Sequence, residues 1–450
     1  MLWRKVKNGV LMKTKKLRDY QKTAISLTLL ALPLALGAQG APAPSKPWSY
    51  SASLTLRESF DSNVYLQDTA PAPANVAAAQ AAGLNPVPAR KESLVTTIIP
   101  RVDLSYKPCA AFRAAVGYAP EVTFYHSAHS EDHVAHRGTL NLGGTVDKAN
   151  WDLLNTFGYI DGSKLGPVFA RPGDVPAVGG IPLRDRRESF LYRSGFKLTV
   201  TADKFFVRPV ASVYLHNFLT RHIANPTPAV YQYVNSIDRR DISGGVDLGY
   251  QVADKTHLVA GYRYGAQEQR RLLGVDSPYD SAYHRLLAGV EGSPAKWLKL
   301  AVMGGPEIRD FERGTPAGFD RGETIYYMDA SVTLLPTAKD SITLLNRRYE
   351  QPAFTSTSMY EDITYDIAWK HKFNDAWAAG AGFRLYIGDW QAPVNREDWI
   401  YTPSASVTYT HKKFNVEAAY SYDWVDSQLP NTAGREFTRH IVSLSAKYNF

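Results

Sequence analysis

The last eleven residues, His440–Phe450, read HIVSLSAKYNF. Successive side chains of an extended chain point to opposite faces. Val442, Leu444, Ala446, Tyr448 and Phe450 therefore share one face, with Ser443, Ser445, Lys447 and Asn449 on the other. One face is apolar and the other is mostly polar. This fits a sheet with an apolar phase on one side and water on the other.

Composition is compatible with one large all-β domain. The 450 residues include 12% aromatics, 27 Tyr and 32 Gly, and mean hydropathy is −0.28. A chain of this length suggests two or three soluble domains, yet β-barrels exceed that size as single domains. Beyond the amino-terminal region no apolar run reaches the 18 residues that a spanning helix needs.

The formal charge of +8 is concentrated at the start, which removes a nucleic-acid reading. Arg4, Lys5, Lys7, Lys13, Lys15, Lys16, Arg18 and Lys22 stand against Asp19 alone, so the remainder is close to neutral. A basic region, the apolar run Ala24–Ala38 and then small residues read as a secretory signal peptide over residues 1–40, with Met12 an alternative start. Residues 41–47, APAPSKP, form a Pro-rich spacer, and residues 48–450 a single barrel domain. The lone Cys109 excludes an intramolecular disulfide framework.

From Trp48 the alternation recurs as paired strands. Tight turns fall at Lys107–Ala110, Asp147–Asn150, Thr201–Lys204, Ala253–Lys255, Ser293–Lys296, Pro336–Asp340, Lys372–Asp375 and Thr410–Lys413. These eight hairpins, with one strand before and one after, predict 18 strands, 16 being the neighbouring count. Longer segments separate the hairpins: Asp68–Arg90, with a short helix over 76–82, Ile160–Arg187, Thr220–Asp238, Arg270–Asp280 and Asp423–Glu436. Of these, Ile160–Arg187 either folds inward as a constriction or stays outside.

Short turns on one rim and long loops on the other are the asymmetry of outer-membrane barrels. An even strand count brings both chain ends to the short-turn rim. Hydrocarbon offers backbone N–H and C=O groups no partner, so a lipid-facing sheet must close. The fold predicted is thus an up-and-down antiparallel transmembrane barrel. Trp48, Tyr106, Tyr118, Trp151, Tyr159, Tyr250, Tyr264, Trp369, Trp377 and Tyr448 lie near strand ends, as interfacial girdles require. The closing strand resembles the terminal strand of bacterial outer-membrane barrels. That resemblance implies that Val442, Leu444, Ala446, Tyr448 and Phe450 are read by the barrel-assembly machinery.

If the apolar face meets lipid, its complement lines the lumen. The predicted lumen set includes Asp103, Arg113, Lys197, Arg208, Asp247, Glu307, Arg309, Asp362, Asp366, Glu417, Arg439 and Lys447. Arg193, Arg263, Arg285, Arg347 and Arg384 fall about seven to nine residues above their short turns, near mid-membrane for strands of this length. They form either a basic belt that raises local anion concentration or ordinary wall residues paired with carboxylates such as Asp247 and Asp366. A barrel of about 16 to 18 strands leaves an aqueous channel.

Two further site readings follow from residue type. His126, His129, His133 and His136, with Glu131 and Asp132 among them, offer metal ligands, or a solvated loop at the outer rim. No GxSxG, HExxH or phosphate-loop motif appears, so no catalytic residue and no cofactor is assigned, and an enzyme ranks below a channel.

The opening strand runs SLTLRESFDSNVYLQ over Ser53–Gln67. Its Asp61-Ser62-Asn63-Val64-Tyr65 resembles the first-strand exit of the beta-barrel porin-2 family of Gram-negative outer membranes, although Ser62 interrupts the family's usual run. The resemblance implies a porin-like protein that meets outer-membrane lipid and small hydrophilic solutes. The expected function is passive diffusion with weak anion preference. Polysaccharide export, or surface display without transport, is the alternative.

Overall fold

The computed structural model describes residues 47–66, 91–162, 188–219, 238–269, 277–311, 318–353, 358–428 and 436–450. The expected signal peptide, nearly all of the spacer, the possible helix over 76–82 and most of each long segment lie outside these residues.

Alternation becomes strand throughout. In chain order the elements are β1 (Trp48–Asp61), β2 (Ser93–Cys109), β3 (Phe112–Tyr118), β4 (Glu121–Tyr125), β5 (His133–Val146), β6 (Ala149–Asp161) and β7 (Ser189–Ala202). Then come β8 (Phe205–Phe218), β9 (Arg239–Ala253), β10 (Thr256–Gln269), β11 (Ser281–Ala295), β12 (Leu298–Phe311) and β13 (Gly322–Leu334). The last six are β14 (Asp340–Pro352), β15 (Met359–Lys372), β16 (Trp377–Trp390), β17 (Arg396–His411), β18 (Phe414–Gln428) and β19 (Phe437–Asn449).

Apart from β3 and β4, which do not pair with each other, every sequential pair is antiparallel, and β1 pairs with both β2 and β19, which closes the sheet. The 19 elements trace 18 barrel strands. β3 and β4 both lie between β2 and β5, as one strand broken at Ala119-Pro120. Pro120 has no N–H to give to the ladder. All eight expected hairpins are present, and Asp147 and Asp203 take positive φ (51° and 54°) in their turns, a region that Asp tolerates better than most residues. Several strands run longer than expected: β6 extends to Asp161 and β18 to Gln428.

The two faces divide as the alternation requires. Tyr50 is 85% exposed, and Leu54, Leu56, Leu104, Leu248, Leu286 and Leu444 are exposed on the outer face. At the short-turn rim cross-strand rings meet at tilted angles as Trp48–Tyr106, Phe205–Tyr250, Trp377–Tyr409 and Phe414–Tyr448, with centroids 4.2, 4.9, 4.8 and 4.8 Å apart. Farther along the strands, on the outer face, Tyr118, Tyr262 and Tyr420 hydrogen-bond the Nδ1 atoms of His136, His284 and His440. Trp151 departs from the expected girdle: it is buried among Phe112, Leu142, Leu153, Phe196 and Leu198.

Closure is also held from inside. Arg439 of β19 donates through Nε and Nη2 to the two carboxylate oxygens of Asp61 on β1, at 2.9 and 2.7 Å, with both side chains almost fully buried. At the other end of the same seam the Phe450 N–H donates to the Ala52 carbonyl at 3.0 Å.

Two measurements check this architecture. Removing one partner of a buried ion pair costs about 3–5 kcal/mol, so Arg439→Ala should lower the urea midpoint of the refolded barrel by a corresponding amount. An unchanged midpoint would detach closure from this pair. Leu286→Lys places charge against lipid and should cost about 2–4 kcal/mol if near the midplane, whereas its neighbour Arg285 faces inward. Equal tolerance of charge on both faces would contradict the assignment of sides.

Candidate functional site: the lumen cavity

Inward parity places every charge of the predicted lumen set inside the barrel, and most are spent on one another. Asp247 accepts from Arg208 Nε at 2.9 Å and lies 2.6 Å from Arg263 Nη2. Arg208 also forks onto Glu291 with two 2.9 Å hydrogen bonds. Arg285 pairs with Glu307 and is sandwiched between the rings of Tyr283 and Tyr327, at 4.3 and 4.1 Å. Arg384 donates to Asp366 at 2.8 Å.

The five arginines expected as a belt therefore separate. Arg263, Arg285 and Arg384 are neutralised by carboxylates, the two named beforehand, Asp247 and Asp366, among them. Arg347 is loosely paired, with Asp329 3.7 Å away and both side chains more than half exposed. Arg193 is exposed, lies over the Tyr214 ring at 5.1 Å, and has no carboxylate within salt-bridge distance among the described residues.

A cavity of about 1040 Å³ occupies one side of the lumen. Arg193, Arg285 and Arg347 line it, together with Tyr214, Tyr283, Tyr327, Tyr349, Tyr360 and Tyr386; Arg263 and Arg384 do not. Arg384 instead faces a smaller cavity of about 300 Å³ against Asp61, Asp423 and Arg439. Tyr386 borders both. Its hydroxyl is buried without a hydrogen-bond partner among the described residues. The inward tyrosines escaped the sequence reading, which sought charge. Parity alone places them: Tyr283 and Tyr349 stand two residues from Arg285 and Arg347 on the same faces.

The long-loop side of the lumen is narrowed by the wall itself. The β13–β14 ladder runs from Leu334↔Ile342 to Met328↔Arg348 and stops. Yet β13 continues against β12 to Gly322, and β14 continues against β15 to Pro352. The outer end of β14 is held by side chains from distant strands. Arg309 and Gln267 donate to the Glu350 carbonyl at 3.4 and 3.3 Å, Arg239 to that of Pro352 at 3.0 Å, and Gln269 to that of Ala353 at 2.8 Å. Arg239 begins β9, five strands from β14, or on the order of 24 Å along the wall at the usual strand spacing. Contact between them requires that the end of β14 lean across the lumen as a shelf.

The histidines do not converge. His126 Nε2 meets the Thr96 hydroxyl at 2.8 Å, His129 lies 3.4 Å from Asp132, His133 is buried with Nδ1 on the Glu131 carbonyl, and His136 faces outward against Tyr118. Only His126 and His129 lie in the rim turn; β5 sends His133 and His136 to opposite faces. Among the described residues no group of three or more His, Cys, Asp or Glu side chains is arranged to hold a metal.

The family described as "Putative MetA-pathway of phenol degradation" matches residues 301–450, the last third of the chain, which carries β13 to β19 and most of β12. It is a different family from the one the opening strand resembles. No curated protein matches. Similar solved structures include the FrpB iron transporter from Neisseria meningitidis, at 10% identity, covering 91% of this chain and 82% of that one with a TM-score of 0.43. OccK3 (OpdO) of Pseudomonas aeruginosa is 12% identical, with coverage of 89% and 96% and a TM-score of 0.42. OccAB4 of Acinetobacter baumannii is 11% identical, with coverage of 92% and 99% and a TM-score of 0.42. The architecture rests on the strand ladder of this chain.

Proposed function

We propose that the chain is a channel of the bacterial outer membrane for passive diffusion of small hydrophilic solutes, with a weak preference for anions. The observation that carries this reading is Arg193, a cation with no carboxylate partner among the described residues, on the wall of a cavity of about 1040 Å³. Arg347, across the same cavity, is held only loosely by Asp329. An unneutralised cation in a low-dielectric cleft raises the local concentration of anions. Arginines that are already paired contribute little, because the adjacent carboxylate cancels their field beyond a few ångströms.

This separates the five expected pore residues by effect. Under a salt gradient across a planar bilayer, Arg193→Ala and Arg347→Ala should move the reversal potential toward cation preference. Arg263→Ala should move it less, since Arg263 lies behind the cavity wall against Asp247. Equal shifts for all three, or none for Arg193→Ala, would contradict the assignment.

Export and assembly belong to the same reading. The basic and apolar leader carries the chain out of the cytoplasm, and Val442, Leu444, Ala446, Tyr448 and Phe450 present the closing strand to the assembly machinery. Support comes from Phe450 and Tyr448 standing at the short-turn end of the closing seam. Deletion of Phe450 should lower the amount of heat-modifiable barrel recovered from membranes, and wild-type recovery would overturn the signal.

A further inference from the structure

The shelf at the outer end of β14 is held in a way that admits a second position. In an antiparallel strand, residues two apart send their carbonyls to the same edge. Glu350 and Pro352 are two apart, and both carbonyls accept from side chains, those of Arg309, Gln267 and Arg239. These accept on the edge away from β15, where β13 would pair if the ladder ran on. Side-chain donors have taken the place of backbone donors.

The opposite edge remains in position. Residues Gly322 to Tyr327 of β13 pair with β12 and, among the described residues, have no strand on their other side. Continuing the observed register past Met328↔Arg348 would set Tyr327 against Tyr349 and Ile325 against Gln351, each of these on the inward face. Gln391 now spans the gap, donating to Glu323 of β13 at 2.9 and 3.0 Å and to Glu350 of β14 at 2.7 Å. The two edges thus have matching length and register, and polar side chains bridge them.

We infer that the outer end of β14 is a gate, closed across the lumen in this structure and open when it zips onto β13. The inference rests on the channel reading for what the gate controls, although the strand movement itself does not. The physical basis is a near balance. Unpaired strand edges are costly beside hydrocarbon, which favours zipping. Against this, the closed form gains the fully buried Arg309, ion-paired with Glu307 and with Glu350 at 2.9 Å, together with the bonds from Gln267, Gln269 and Arg239. Two packings of one segment that differ little in free energy are the usual material of a switch. Opening would withdraw Tyr349 and Gln351 from over the large cavity, which they now line.

The test is a cysteine pair that can bond only in the zipped position. Cys109 is first replaced by Ser, and Ile325→Cys is combined with Gln351→Cys in the full-length refolded barrel. Ser331→Cys with Leu345→Cys, already opposite one another in the ladder, serves as the positive control. Mild oxidation should link the control at once and the test pair more slowly. Gln267→Ala, which removes one latch bond, should speed the second reaction, as should Arg309→Met if that variant folds. Linked barrels should show larger single-channel steps, restored to the original size by reductant.

A control that links while the test pair stays reduced, with and without Gln267→Ala, overturns the second position. Linkage that leaves the conductance steps unchanged shows that the strand moves but overturns the gate. Linkage with no current from either form leaves the movement standing and removes the channel reading instead.

Discussion

The rest of the structure depends on one constraint: in hydrocarbon each backbone N–H and C=O must find its partner within the protein. Eighteen strands meet it by closing, with β1 paired to both β2 and β19. The Asp61–Arg439 pair and the Phe450–Ala52 bond fasten that seam near its two ends. The same constraint explains the odd geometry of β14. Where its ladder with β13 lapses, the Glu350 and Pro352 carbonyls are taken up by Arg and Gln side chains.

Closure creates two solvents, and each face follows its own. The outer face carries leucine, valine and aromatics. The inner face carries charges that pair with one another, because a charge on a half-buried wall is costly without a counter-charge. On the proposed channel reading, ion preference therefore comes from what the pairing leaves over. Arg193, above the Tyr214 ring, and the loosely held Arg347 are such residues, whereas Arg263, Arg285 and Arg384 belong to the fabric of the wall.

Much of this was legible in the chain. A period of two is a local property, so the hairpins, the strand count and the division of faces could be read residue by residue; so could the inward placement of Asp247 and Asp366 beside the arginines they neutralise. What escaped depends on contacts between residues far apart. Nothing local says that Arg239 reaches Pro352 across 113 positions, or that the β13–β14 ladder stops at Met328. Four histidines close in sequence suggested a ligand set, but a strand sends His133 and His136 to opposite faces and a turn carries His126 and His129 elsewhere. Trp151 had the right position for a girdle, yet neighbouring side chains cover it. The cavity's tyrosines were within reach of parity, and a search for charge alone passed them over.

The measurement that bears most directly on the whole account is single-channel recording from the refolded mature barrel in a planar bilayer, with folding verified by heat-modifiable mobility. Discrete ohmic steps that persist after detergent and lipid controls are the predicted result, since a lumen with polar walls and a cavity of about 1040 Å³ holds water. A barrel verified as folded and inserted that passes no current, even when the β13–β14 cysteine pair is linked, would contradict the account.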